Sequence, residues 1–144
     1  MNSWGPCSAL LLALSCATPA TAAKAAPCPD SAQSYWTTFR AAALKGDVKT
    51  VAGLTRFPLE VHGPLDESDE HSVARSQLGH WWPRLLNADP GLSAEATTMK
   101  SYVLAHPRLQ DGFCTAEGQQ FRVGEWLFHL GPEGWRFVIA YVNE

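Results

Sequence analysis

Apolar and polar positions alternate most cleanly near the C-terminus. Trp135, Phe137, Ile139 and Tyr141 fall on one parity, and Arg136, Val138, Ala140 and Val142 on the other. That period of two predicts a pleated strand with the aromatic set on one face. Gly131-Pro132-Glu133-Gly134 supplies a turn before it, and Phe121 to Leu130 reads as the first arm of a hairpin. Two strands alone are marginal in water, so the upstream chain has to cover a broad apolar face.

Upstream the period changes. Tyr35, Trp36, Phe39, Ala42 and Ala43 recur at three and four residues and predict an amphipathic helix from Ser31 to Lys45, with Asp30 and Gln33 at the spacing of a capping box. Gly46 suits a left-handed cap, and Asp47 an N-cap for a short second helix facing inward through Val48, Val51 and Leu54. Phe57, Leu59 and Val61 alternate as the inner side of a strand, which Pro58 pushes toward a sheet edge or toward its own first position. A third helix is expected from Ser72, with Val73, Leu78, Trp81 and Trp82 on its apolar side and a kink or restart at Pro83. Met99, Tyr102, Val103 and His106 have helical spacing closed by Pro107, although Tyr102 and Val103 also fit a strand, and Phe113-Cys114-Thr115 reads as a short strand.

The opening residues are of another kind. Met1 to Ala23 carries no charged side chain, holds an apolar run from Ala9 to Leu14 and ends in small residues. This predicts an export signal over 1–23, a tether over 24–30 and a single domain over 31–144. The apolar run is too short for a stable membrane span, and Cys16 after Leu14-Ser15 raises a lipoprotein anchor as an alternative. Removing the leader leaves Cys28 and Cys114, and two cysteines in a periplasmic or secreted chain are expected to pair.

Composition narrows the chemistry. With 46% hydrophobic and 17% charged residues and a net charge of -3, the chain reads as one globular unit. Its 11 Lys and Arg are scattered singly, which argues against nucleic acid. Asp66-Glu67-Ser68-Asp69-Glu70-His71 lacks the order of a calcium loop and reads as a solvated surface loop. No Cys/His cluster suits zinc, so neither a metal nor a cofactor is expected.

Helix, short helix, strand, helix and a run of strands, marked by Phe39-Arg40, Gly46-Asp47, Phe57-Pro58-Leu59 and Gly134-Trp135-Arg136-Phe137, resembles the nuclear-transport-factor-2-like, or cystatin-like cone, superfamily, in a small exported bacterial-type form. The resemblance implies an α+β fold in which a curved antiparallel sheet wraps around N-terminal helices and leaves a cone-shaped cavity. Members include isomerases, dehydratases, immunity proteins and binding modules, so the fold does not choose the function.

The chain has no Gly-x-Ser-x-Gly, His-Glu-x-x-His, P-loop or Gly-x-Gly-x-x-Gly motif. His129, Tyr141, Glu60 and Glu125 are the residue types that an acid–base site in a cone would need, but no spacing joins them, and no catalytic residue is assigned. The tryptophans are the better lead. Adjacent Trp81 and Trp82 cannot share one side of a helix, so one of them is expected at a cavity mouth or an interface. Trp126 differs in parity from Phe121, Val123 and Leu127, so if those three face the core, Trp126 shares the outer face with Phe128. An exposed aromatic patch marks a partner surface. The expected function is therefore an exported, non-enzymatic domain that binds a protein partner, as an inhibitor or immunity protein, or a small apolar ligand. Trp81, Trp82, Trp126, Phe128, His129 and Tyr141 are its candidate binding residues, and a second copy could dock through the sheet face. The alternative is a small isomerase or hydrolase with a His or carboxylate in the cone.

Overall fold

The computed structural model describes residues 25–64, 69–92 and 95–143. The export signal over 1–23, with Cys7 and Cys16, lies outside the described residues, as do Asp66, Glu67 and Ser68 of the acidic run. The order of elements is α1 (Asp30–Lys45), α2 (Val48–Gly53), β1 (Thr55–His62), β2 (Glu70–Val73), α3 (Leu78–Asn87), α4 (Met99–Ala105), β3 (Gln120–Val123), β4 (Trp126–Gly131) and β5 (Gly134–Tyr141).

The five strands form one sheet in the order β2-β1-β5-β4-β3. Strand β1 runs parallel to β5, and every other pairing is antiparallel. The sheet is therefore mixed, and it is not strongly curled, which corrects the expected antiparallel cone. Parallel neighbours need a long crossover between them, and the chain from β2 through α3 and α4 to the β3–β4 hairpin supplies it.

Local sequence misleads at several points, each for a physical reason. Phe121 to Leu130 is two strands, not one arm, because Gly124-Glu125 is a two-residue turn that pairs Val123 with Trp126 and Phe121 with Phe128. Gly124 has φ +56, and a Cβ there would lie 2.7 Å from Met99 Sδ, so only glycine fits this turn. Partners across such a turn have opposite parity. Trp126 and Phe128 therefore face the same side as Phe121 and Val123, and Leu127 faces away.

The alternation of β5 also breaks. Phe128 pairs with Phe137 but Leu127 pairs with Ile139, which leaves Val138 as the extra residue of a β-bulge. Trp135 and Phe137 point inward before the bulge and Ala140 after it, so Ile139 and Tyr141 turn to the opposite face from the one their parity implied. Glu70–Val73 forms an edge strand where a helix was expected to begin: His71 and Val73 share the inner face by register, but only Val73 is buried. Pro58 lies inside the sheet, in β1, within the interruption between Thr55 and Glu60 where the ladder to β5 slips register. Helix α3 runs on through Pro83.

The helices cover the inner face. Phe39 sits at its centre, fully buried, with the rings of Phe128, Phe137 and Trp126 at 5.0, 5.3 and 5.9 Å between centroids and that of Trp82 at 6.4 Å. Burying each such side chain stabilises the fold by roughly 1.5–3 kcal/mol. Gly46 closes α1 in the left-handed conformation at φ 70, and Asp47 caps α2 by accepting from the Thr50 N–H. The expected Asp30 and Gln33 box does not form. Asp30 is already helical, and the Gln33 amide instead accepts from Leu109 N–H and donates to the Pro107 carbonyl.

Helix α1 also holds the end of α4. Arg40 donates to the Val103 and Leu104 carbonyls at 2.9 and 2.8 Å, and Trp36 Nε1 donates to the His106 carbonyl. These satisfy the free acceptors of a helix C-terminus with a cation placed where the helix dipole favours one. Cys28 and Cys114 are bonded, as expected, across a sequence separation of 86. In the chain-entropy view a loop of that length contributes about 4–5 kcal/mol. Such a bond is consistent with an oxidising compartment.

Candidate functional site

The six candidate residues do not come together. Trp126 and Phe128 are fully buried beneath α1 and α3, so the expected outer aromatic patch is in fact part of the core. Trp82 is core as well, its ring 5.4 Å from that of Trp126. The indole N–H groups of both find no acceptor among the described residues. Trp81, its neighbour, is half-buried and lines a surface cavity of about 260 Å3, where the His71 ring and the Arg84 guanidinium each lie 5.1 Å away. His129 and Tyr141 both lie on the outer face of the sheet, in different rows.

That outer face is where side chains with spare chemistry collect. All the helices that contribute to the core lie on the other side. Three cross-strand rows are set by register. One runs Gln120, His129, Arg136, and the next runs Arg122, Leu127, Ile139, Glu60, Ser72. Tyr141, His62 and Glu70 make the third. Leu127 is buried within this mosaic, and Ile139 and Tyr141 are half-buried.

Charges on the face are distributed by end. Arg122 donates to Glu125 at 2.7 Å and to the Gly124 carbonyl at 2.8 Å, and its guanidinium lies 4.8 Å over the Tyr141 ring. His62 sits between Glu60 and Glu70, at 3.4 and 3.6 Å, with the Tyr141 ring 5.4 Å from its own. At the other end, by the β4–β5 turn, Arg56 and Arg136 line a cavity with His129. The His129 pKa is held below its ordinary value, chiefly by desolvation and then by the Arg56 charge, with Glu60 acting in the opposite sense. Its imidazole is therefore neutral near pH 7.

The acid–base types foreseen in the sequence do not converge in the interior. Glu60, His129 and Tyr141 are all on the outer face, and the space between helices and sheet is filled by Trp36, Phe39, Trp82, Phe121, Trp126, Phe128 and Phe137. Among the described residues, burial drives the Tyr35 pKa far up while its hydroxyl donates to the Leu54 carbonyl at 2.6 Å. That geometry ties α1 to the α2–β1 junction and reads as structural.

Sequence reasoning missed Arg56, Arg122, His62 and Glu70. Arg122 and Arg136 carried a usable signal, since each sits between inward residues of its own strand. Arg56 carried none. Only the parallel pairing of β1 with β5 brings it near Arg136, and no local pattern encodes that pairing. Among the described residues no group of three or more His, Cys, Asp and Glu is placed to hold a metal ion. No family model matches the chain, and no curated protein or solved structure matches it significantly.

Proposed function

We propose that the chain is an exported, disulfide-stapled binding domain that meets a protein partner through the outer face of its sheet, as an inhibitor or immunity protein would. The order helix, short helix, strand, helix, strands supports reading it as a relative of the nuclear-transport-factor-2-like superfamily. One observation carries the reading: an apolar centre of Leu127, Ile139 and Tyr141 ringed by Arg122, Arg136, Glu60 and His62, on a face that no described helix covers. An apolar core inside a polar rim, with Tyr and Arg prominent, is the anatomy of a protein interface. The partner's chemistry follows from the charge layout. It presents an acidic group toward Arg56 and Arg136 and a basic group toward Glu60 and Glu70. The filled interior favours this surface over a small apolar ligand held in a cone.

The test compares capture by the oxidised chain, its Ile139→Asp variant and a Leu104→Ser control on α4, using the secreted and periplasmic fraction and quantitative mass spectrometry. Leu104 is exposed on the helical side. The reading holds if a defined protein is retained by the wild type and by Leu104→Ser but lost with Ile139→Asp. An identical catch with all three sinks it. Sedimentation of the purified chain separates a foreign partner from a second copy.

A further inference from the structure

We propose that Arg56, His129 and Arg136 form a carboxylate-binding site at the β4–β5 turn, in a cavity of about 370 Å3 whose remaining wall includes Gly131, Pro132 and Glu133. The proposal rests on the partner reading only for the source of the carboxylate, a side chain or chain end of the protein that docks on the sheet. The two arginines come from distant parts of the chain. Parallel pairing of Thr55 with Phe137 sets Arg56 level with Val138, one diagonal step from Arg136 on the outer side, and both arginines line the cavity. Long side chains on diagonal positions still reach one another, and a bound anion relieves the repulsion of two like charges in one cavity.

Neither guanidinium is already spent on an acid. Among the described residues no carboxylate is ion-paired to Arg56 or Arg136, and Arg136 uses one N–H on the Trp135 carbonyl. The remaining donors form the forked arrangement that matches a planar carboxylate. His129, half-buried, lines the same cavity, and its Nε2 has no hydrogen-bond partner among the described residues. Glu133 lies in the same lining, and Glu60 acts on His129 from β1. With His129 neutral, two guanidinium charges against Glu133 leave one net positive charge in the lining. That matches a singly charged carboxylate better than a phosphate dianion. A cavity of this size also falls in the range that holds organic groups, so the carboxylate can enter with the carbon chain that bears it.

The experiment uses NMR of the oxidised chain, following the His129 ring while titrating acetyl-Ala-Ala with a free C-terminal carboxylate, the same peptide as its C-terminal amide, and inorganic phosphate. The free acid is expected to shift His129 saturably and to raise its pKa, because the anion offsets the field of Arg56. The amide leaves the ring unshifted, and phosphate binds more weakly than the free acid. Arg56→Gln and Arg136→Gln each weaken binding about tenfold, and Arg122→Gln leaves it unchanged. No saturable shift with the free acid, equal response to the amide, or unchanged binding in the Arg56→Gln/Arg136→Gln double variant overturns the site. Phosphate binding as tight as the peptide overturns its assignment to carboxylate. Ile139→Asp, which breaks the partner surface, leaves the peptide titration intact, so the two readings fail separately.

Discussion

The inner face of the sheet sets Phe121, Trp126, Phe128 and Phe137 against Trp36 and Phe39, while one residue away along the same strands the outer face carries Gln120, Arg122, His129 and Arg136. Both faces share one backbone and one set of ladders. What separates them is parity, and parity here is set by the Gly124-Glu125 turn and by the Val138 bulge. A single-residue slip would exchange them. The contrast teaches that one scaffold carries a packed apolar side and an outward polar side, so substitutions on the two faces should have effects of different kinds.

The sharpest way to break that contrast is to truncate one apolar side chain on each side. Phe128→Ala should destabilise by about 3–5 kcal/mol, as a fully buried ring does when removed. Ile139→Ser on the outer face should lose less than about 1 kcal/mol. Urea midpoints at constant m-value measure both, and similar losses for the two would end the distinction. A smaller effect probes how the helices are tied to the strands. Tyr35→Phe removes the 2.6 Å hydrogen bond to the Leu54 carbonyl, which still accepts from the Phe137 N–H, so a loss of about 1 kcal/mol is expected by the same measurement. A loss above about 3 kcal/mol would mean that the hydroxyl supports more than this one contact.

The smallest effect lies on the outer face and is read by pH. Desolvation and Arg56 keep the folded-state pKa of His129 below its unfolded value. As pH falls below the ordinary histidine pKa of about 6.5, the unfolded chain takes up a proton that the folded chain refuses until its own lower pKa is reached. Stability therefore declines through that window, with no contribution from this group above it. His129→Gln should flatten this segment of the profile, and an unchanged slope would show that His129 is not the group responsible.

Much of this architecture could be read from the sequence. Helices α1, α2 and α4 followed from spacing and from Gly46-Asp47, the β4–β5 turn from Gly131 to Gly134, and the Cys28–Cys114 bond from counting cysteines. The face assignment of the hairpin was not legible, because a two-residue turn and a bulge each invert parity without altering the apolar pattern. Strand β2 was hidden by its own polarity, since an edge strand needs only Val73 to be buried. The candidate site was least legible of all. Its arginines lie eighty positions apart in sequence and become neighbours only through the parallel β1–β5 pairing.

The order β2-β1-β5-β4-β3 leaves two strand edges, and both are blunted. Beside β3, the segment around Cys114 takes up hydrogen bonds at Thr115 and Phe113, while β2 is only four residues long and exposes Glu70, His71 and Ser72. Short, charged or covered edges resist the addition of a foreign strand. A partner docking as proposed above would therefore meet side chains rather than a free strand edge, and single substitutions on the face would retune its choice without rebuilding the strands beneath.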